Sequence, residues 1–390
     1  MNILLFMPGG VRKNFGGPSV LLSTIIVLRN VIPHAKFILM SSELADSTLD
    51  LKEYGLESVV VLPGIGIKNI FLMIKTFKKA DIIIDLQGII FTDKFGGSFF
   101  SKVFEGLHFL IGKSLRKIVV KFPCDMGSFN NLWNRLFAKI YLSMIDLIFA
   151  RSNLTKQYLQ EMHIRTRKPI YVSPDVAFVL PSFHVKKDGL ITSEKERKKK
   201  LIGISTSHTI TWFEQVKGNY VNVISEVVNY LIKEKDCHIL LIPNEIYPGR
   251  YDDVYVAKCV FSKIENKSRV TILEKEFTAR ELKGMIGSCE LLIASRYHSI
   301  IAALSQGVPV VAVSWQHKYP EVMKLVGLEK YVCDIKNLSF AETYKKINEA
   351  WENRETIRAN ILNRIPYIKE EVLNVGKIVK ETLVYTHKKS

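Results

Sequence analysis

The sequence predicts an α/β protein built from two parallel sheets, each covered by helices, and three features carry that prediction. Short runs rich in Ile, Val and Leu recur along most of the chain, apolar throughout rather than alternating. That is the pattern of strands buried on both faces. Longer stretches with helical spacing separate them, as connections between parallel strands require. A length of 390 residues exceeds one ordinary core and fits two domains.

The first half shows this run by run. ILLFM (3–7), KFILM (36–40), SVVVL (58–62), DIIIDL (81–86), KIVVKF (117–122), DLIFA (146–150) and PIYVS (169–173) read as strands. SVLLSTIIVLRN (19–30) and NLWNRLFAKIYLSMI (131–145) have the spacing of helices. SFFSKVFEGLHFLIGKSLRK (98–117) carries an aromatic and aliphatic stripe with basic residues, which suits a core-packed helix or one that touches a membrane. The pattern breaks at HVKKDGLITSEKERKKK (184–200), which is polar and weakly periodic and reads as a linker or exposed loop. Its Lys195, Arg197, Lys198, Lys199 and Lys200 are either solvated or available to anionic lipid or nucleic acid.

Alternation resumes with LIGIST (201–206), CHILLIP (237–243), RVTIL (269–273), ELLIA (290–294) and PVVAVSW (309–315). Helical stretches such as NYVNVISEVVNYLIKEK (219–235) lie between them, and from about Ala341 the chain reads as terminal helices. The expected division is 1–183, an N-terminal α/β domain; 184–200, a basic linker; 201–340, a C-terminal α/β domain; and 341–390, a helical tail. Two Rossmann-like domains in tandem with such a tail resemble the two-lobed GT-B glycosyltransferases. In that arrangement ligands lie in the cleft between lobes, facing the carboxyl ends of the strands.

Composition narrows the function. The chain is 47% hydrophobic and 24% charged, the balance of a globular protein. Fifty-five Lys and Arg against 38 acids give a net charge of +17, which favours anionic partners. No RRM, KH or zinc-finger pattern accompanies that charge, so a nucleic-acid partner is not expected. Five scattered cysteines without a C-x-x-C exclude the usual zinc and disulfide frameworks and suit a reducing cytoplasm. The amino terminus lacks the basic region of a signal peptide, and no run of eighteen apolar residues occurs. The expected location is therefore the cytoplasm, with at most peripheral contact with the inner face of the cell membrane. No D-x-D pair with supporting ligands appears, and no metal is expected.

The most informative stretch is ASRYHS (294–299), which interrupts the apolar run from Glu290 to Trp315. Glu290 to Ala294 is strand-like, and His298 to Gln306 shows helical spacing that Gly307 and Pro309 end. Ser295, Arg296, Tyr297 and His298 then sit where a helix begins, with unpaired N–H groups and a positive pole that favour an anion. Arg296 adds a fork of donors matched to carboxylate or phosphate, and His298 can move a proton near neutral pH. The plainer reading is that Arg296 pairs with a local acid and His298 caps the helix or packs.

Ser295 to Lys318, with its Arg-x-His, apolar helix, Gly-x-Pro, strand and Lys, resembles the signature of the polysaccharide pyruvyl transferase family. EVMKLVGLEKYV (321–332) is similar to the family's continuation. SPDVAF (173–178), ADIIIDLQGIIFTDKF (80–95) and DLIFARSNLTKQYL (146–159) are similar to segments of its first domain. The resemblance implies a GT-B-like transferase that moves the pyruvyl group of phosphoenolpyruvate onto a sugar of a cell-surface glycan, or its lipid-linked precursor, as a ketal. Phosphoenolpyruvate is then a substrate, and no cofactor is implied. Ser295, Arg296 and Ser299 at the helix start would form one anion clamp and Arg151 a second. Lys318 would neutralise phosphate charge, and His298 would act as general acid or base.

The chain also departs from the family. NFGGPSV (14–20) stands where Asn-x-Gly-Asp is usual, so Asn14, Gly16 and Gly17 shape either an acceptor or phosphate loop or a tight turn. IPNE (242–245) has Asn244 in place of a His. Asp85, Gln87, Gly88 and Asp93 follow a strand and either hold sugar hydroxyls or serve the loop itself. His208, in STSHTITW (205–212), is a candidate for ligand contact. Two other functions compete: a GT-B glycosyltransferase with a nucleotide-sugar donor, and a non-catalytic basic protein that binds nucleic acid or membrane.

Overall fold

Every strand pairing among the described residues is parallel, as the apolar runs require. The computed structural model describes the chain except residues 9–14, 43–54, 63, 65, 94–98, 165, 167, 184, 186–190, 192, 214–218, 248–250 and 388–390. One sheet comprises β1 (Asn2–Met7), β2 (Lys36–Ser41), β3 (Leu56–Val61), β4 (Ile82–Asp85), β5 (Ile89–Ile90), β6 (Ile118–Met126), β7 (Leu147–Ala150) and β8 (Tyr171–Val172). Its order is β3-β2-β1-β4-β6-β7-β8, with β5 pairing β6. The other comprises β9 (Lys200–Ser205), β10 (Cys237–Leu241), β11 (Val270–Ile272), β12 (Leu291–Ala294), β13 (Val310–Ser314) and β14 (Val332–Asp334), in the order β11-β10-β9-β12-β13-β14. Each sheet reverses its winding once, between β1 and β4 and between β9 and β12. The carboxyl ends of strands at such a reversal are where open α/β sheets receive ligands.

The chain divides into two compact units. The first holds Met1–Arg12, Val20–Val179 and Lys369–Ser390, and the second Lys13–Ser19 and Leu180–Ile368. The division differs from the expected one in three places. Residues 13–19 count with the second unit, the boundary falls at Val179, and the last residues return to the first unit. The described part of 184–200 is also less exposed than its polarity suggests. Ile191 and Glu196 are buried, Glu194–Arg197 is a helical turn, and Lys199 and Lys198 pair with Asp236 and Glu194.

In the first unit two buried clusters cover one face of the sheet. One joins Phe6, Met40, Met73, Phe77 and Ile83; the other joins Val119, Phe109, Tyr141, Leu142 and Leu159. Ile83 and Val119 are paired neighbours, so both clusters belong to the same side. The helical stretch 98–117 is two helices, Phe99–Glu105 and Leu107–Ser114. The break falls at Gly106, where a Cβ would lie 2.2 Å from the Tyr141 ring. In the second unit the helix after β12 is Tyr297–Leu304, and Gly307 has the positive φ of 81° foreseen for its end. Among the described residues no helix is long and apolar enough to cross a membrane.

Candidate active site

Ser205 ends β9, Ala294 ends β12, and the two are paired neighbours at the reversal point of the second sheet. The chain leaving β9 reaches His208, and the chain leaving β12 supplies Ser295 to His298. Ser295 is fixed at both ends: Tyr220 donates its hydroxyl to Ser295 Oγ at 2.7 Å, and Tyr319 donates to the Ser295 carbonyl at 2.9 Å. Burial raises both phenol pKa values, so these hydroxyls stay protonated donors. Arg296 is the N-cap of the helix, in extended conformation, and its side chain does not cap the N–H groups of the first turn.

Arg296 is held by acids that lie far away in sequence. Nε donates to Asp253 Oδ2 at 2.8 Å, and Nη2 donates to Glu245 Oε2 at 2.8 Å and to Asp253 Oδ1. His208 Nδ1 lies 2.9 Å from Asp253 Oδ1 and 2.8 Å from Arg296 Nη2. Asp253 also accepts the backbone N–H groups of His208, Asn244 and Glu245. Its burial pushes the carboxyl pKa up, but the Arg296 charge and the bonds from His208 and Arg296 outweigh that and hold it at about 2. Burial alone would weaken the charge on Arg296, but the two carboxylates more than restore it. The donor atoms of His208, Glu245 and Asp253 lie within 4.8 Å of one another, a spacing usable by a metal. Here the guanidinium supplies the positive charge at their centre. Among the described residues Nε and Nη2 carry all of these bonds and Nη1 makes none.

His298, half-buried in the first turn, packs edge-on to Tyr297 with ring centroids 5.5 Å apart. It also lies against Gly16, the first residue of the helix Gly16–Arg29. A Cβ on Gly16 would fall 2.3 Å from His298 Nδ1, so the glycine is what admits the ring. Phe15 N–H donates to the Asn244 carbonyl at 3.0 Å and holds this turn in place. Gly17 is half-buried beside it, and Asn14 lies outside the described residues. Lys318 is buried at the start of the helix Lys318–Lys324. Its ammonium lies 5.1 Å from the Tyr297 ring centroid and 5.3 Å from that of Trp315.

Other candidates have structural work. Ser299 Oγ donates to Asn244 Oδ1 at 2.7 Å, and Asn244 Nδ2 donates to Ser205 Oγ at 2.9 Å. Ser295, Ser299 and Asn244 are all buried, which places them behind the Arg296 and His298 layer. In the first unit the guanidinium of Arg151, the expected second clamp, is buried. It bonds to Asp125, to Asp175 at 2.6 Å and to the Gly88 carbonyl at 3.0 Å. All three of its nitrogens are bonded, so it braces the carboxyl edge of β6, β7 and β8.

Asp85 is fully buried with Lys121 and His108, at 3.1 and 2.7 Å. Burial opposes its ionisation, but Lys121 and His108 win and pull its pKa well below the usual carboxylate range. Gln87 donates its N–H to Asp85 and its carbonyl accepts from Lys121. Asp93 gathers Ser128, the Asn130 N–H and Asn134.

Comparison with known proteins meets this geometry. The model of the family described as polysaccharide pyruvyl transferase matches residues 14–317, from the Gly16 turn to the end of the Arg296 and His298 segment and beyond it through β13. The chain belongs to the polysaccharide pyruvyl transferase family. It is 25% identical over 315 residues to the amylovoran biosynthesis protein AmsJ of Erwinia amylovora, across 78% of this chain and 73% of that protein. As a family member with such a relative, it is a transferase that modifies polysaccharide.

Solved structures show the fold. HepE of Anabaena in complex with UDP matches with a TM-score of 0.61 at 15% identity, over 99% of this chain and 100% of that one. The UDP-GlcNAc 2-epimerase of Neisseria meningitidis bound to UDP-GlcNAc matches at 0.63 and 15%, over 99% and 100%. At these identities the likeness concerns the fold alone, and it is the GT-B-like fold expected.

Asp253, Glu245 and Tyr220 were not singled out in the sequence. Asp252 caps the helix Asp253–Ser262, and Asp253 is its first residue. A second acid at such a start, with an Arg elsewhere to hold, was the available signal.

Proposed function

We propose that this transferase takes the pyruvyl group from phosphoenolpyruvate and places it as a ketal on a sugar of a cell-surface polysaccharide or its lipid-linked precursor. The observation that supports this reading is the pairing of a fixed guanidinium, Arg296, with a half-buried imidazole, His298. Both lie at the helix start on the reversal point of the second sheet. The donor carries a carboxylate and a phosphate. Arg296 Nη1, the first-turn N–H groups and the Lys318 ammonium are the cationic and N–H groups of this unit that answer them. Arg151, committed to Asp125 and Asp175, leaves the second clamp to Lys318.

In the proposed reaction His298 delivers a proton to C3 of the enol while a sugar hydroxyl bonds to C2. The C2–O bond to phosphate then breaks, a second hydroxyl bonds to C2, and that hydroxyl's proton leaves with inorganic phosphate. The imidazole accepts the proton that a hydroxyl gives up, so it ends as it began. Arg296 holds the donor's orientation, and its own orientation is held by Asp253 and Glu245.

The competing reading is a nucleotide-sugar donor, which draws on the whole-chain likeness to structures that hold UDP or UDP-GlcNAc. Thermal shift separates them. Phosphoenolpyruvate at saturation is expected to raise the unfolding midpoint by several degrees, while UDP-, GDP- and CMP-sugars leave it in place. Stabilisation by a nucleotide sugar alone, with no phosphate released from phosphoenolpyruvate in the presence of acceptor glycans, would replace the proposal with the second reading.

A further inference from the structure

The helical layer on one face of the first sheet is apolar on both its sides. The helix Leu132–Leu142 turns Ala138, Tyr141 and Leu142 into the core, yet Leu132, Trp133, Leu136 and Ile140 are exposed, Leu132 by 71%. Trp133 is propped edge-on by Phe99 at 4.9 Å, which holds the indole outward of the core. The helix Ile67–Lys79 repeats the pattern: Met73 and Phe77 are buried, while Ile67 and Phe71 are 76% and 68% exposed. Large apolar side chains exposed together in this way mark a contact surface.

The charges on these two helices are of one sign. The helix Ile67–Lys79 carries Lys68, Lys75, Lys78 and Lys79, the helix Leu132–Leu142 carries Arg135 and Lys139, and neither contains an acid. All six are exposed. Both helices connect parallel strands, so both begin at the carboxyl edge of the sheet. Ile67, Phe71, Leu132 and Trp133 therefore gather towards that edge, with leucine and indole side chains of the type that seat in the lipid headgroup boundary.

We infer that this face docks on an anionic bilayer, its apolar side chains entering the headgroup boundary and its lysines and arginines meeting lipid phosphates. Interleaved cations without acids are complementary to such a surface and would repel one another across a contact between two copies of the chain. The inference does not depend on the identity of the pyruvyl donor.

Co-sedimentation of the full chain with phosphatidylcholine vesicles, alone or with phosphatidylglycerol at roughly 3:1, tests it. Binding is expected to be about tenfold or more stronger with the anionic lipid and to weaken with salt. The Trp133 emission should shift to the blue on binding, and Trp133→Phe should remove that component. The double variant Leu136→Glu, Ile140→Glu, at exposed sites, should melt like the parent and lose about tenfold in binding. The pair Lys195→Glu, Lys198→Glu in the second unit should bind like the parent. Equal binding to both vesicles, undiminished binding by the Leu136 and Ile140 variant, or equal loss from the second-unit lysine variant would overturn it. So would a stable dimer in light scattering that the Leu136 and Ile140 variant dissociates.

Discussion

Gly16→Ala is expected to damage catalysis without damaging the fold. The new methyl carbon would lie 2.3 Å from His298 Nδ1, 2.7 Å from Cε1 and 3.0 Å from Cγ. Contact between such atoms is comfortable at about 3.5 Å, so the imidazole must retreat by about 1 Å. Misplacing a proton-transfer group by that distance costs on the order of 10²-fold in rate. Stability should scarcely change, because Ala at a helical position gains up to about 1 kcal/mol over Gly, which offsets the local strain. The assay is phosphate release from phosphoenolpyruvate with an acceptor glycan, alongside thermal melting. Gly88→Ala is the matched control, since its Cβ would meet Arg151 Nη1 only at an ordinary 3.7 Å. An unchanged melting point together with a turnover within about twofold of the parent would refute the idea that Gly16 sets the place of the ring.

His298→Ala should keep the fold and lose about 10²–10⁴-fold in turnover, read as kcat at saturating donor. Asp253→Asn should raise the KM for phosphoenolpyruvate at least tenfold, because Arg296 loses its bidentate partner; an unchanged KM in titration calorimetry or kinetics would count against the cage. The depressed carboxyls also set an acid limit. Asp253 has a folded pKa of about 2 against an ordinary 3.8. Its contribution, about 2 kcal/mol, is thus complete above about pH 4 and lost as pH falls towards 2. Asp85 is depressed in the same direction, so the unfolding free energy by urea titration should decline across that window. Asp85→Ala leaves Lys121 buried without its carboxylate and should destabilise the first unit by about 3–5 kcal/mol, visible as a lowered melting transition.

Most of the sheet architecture was legible because buried parallel strands carry their signal locally. All twelve apolar runs named from the sequence contain strands, and the two strands without a matching run, Ile89–Ile90 and Val332–Asp334, are two and three residues long. The packing at Gly106 was not legible, because the ring that its missing Cβ admits belongs to Tyr141, 35 positions later. The site divides in the same way. The grouping of Arg296 and His298 was legible because a strand end, a helix start and two candidate side chains coincide within five residues. Arg151 carries the same local signal, Arg after a strand, yet its partners Asp125 and Asp175 lie 26 and 24 positions away. Only the fold shows that all three of its nitrogens are already bonded. The acids around Arg296, 43 and 51 positions away, were hidden for the same reason.

Neither compact unit is a continuous piece of chain. Residues 13–19, among the earliest made, complete the later unit, and residues 369–390, the last made, complete the earlier one. A growing chain must therefore hold the Gly16 turn in reserve until β12 and its helix exist, and the first sheet waits for the final helix to finish its cover. Cutting between Val179 and Leu180 would yield two fragments, each missing a part that the other retains, and mixing them should restore more activity than either shows by itself.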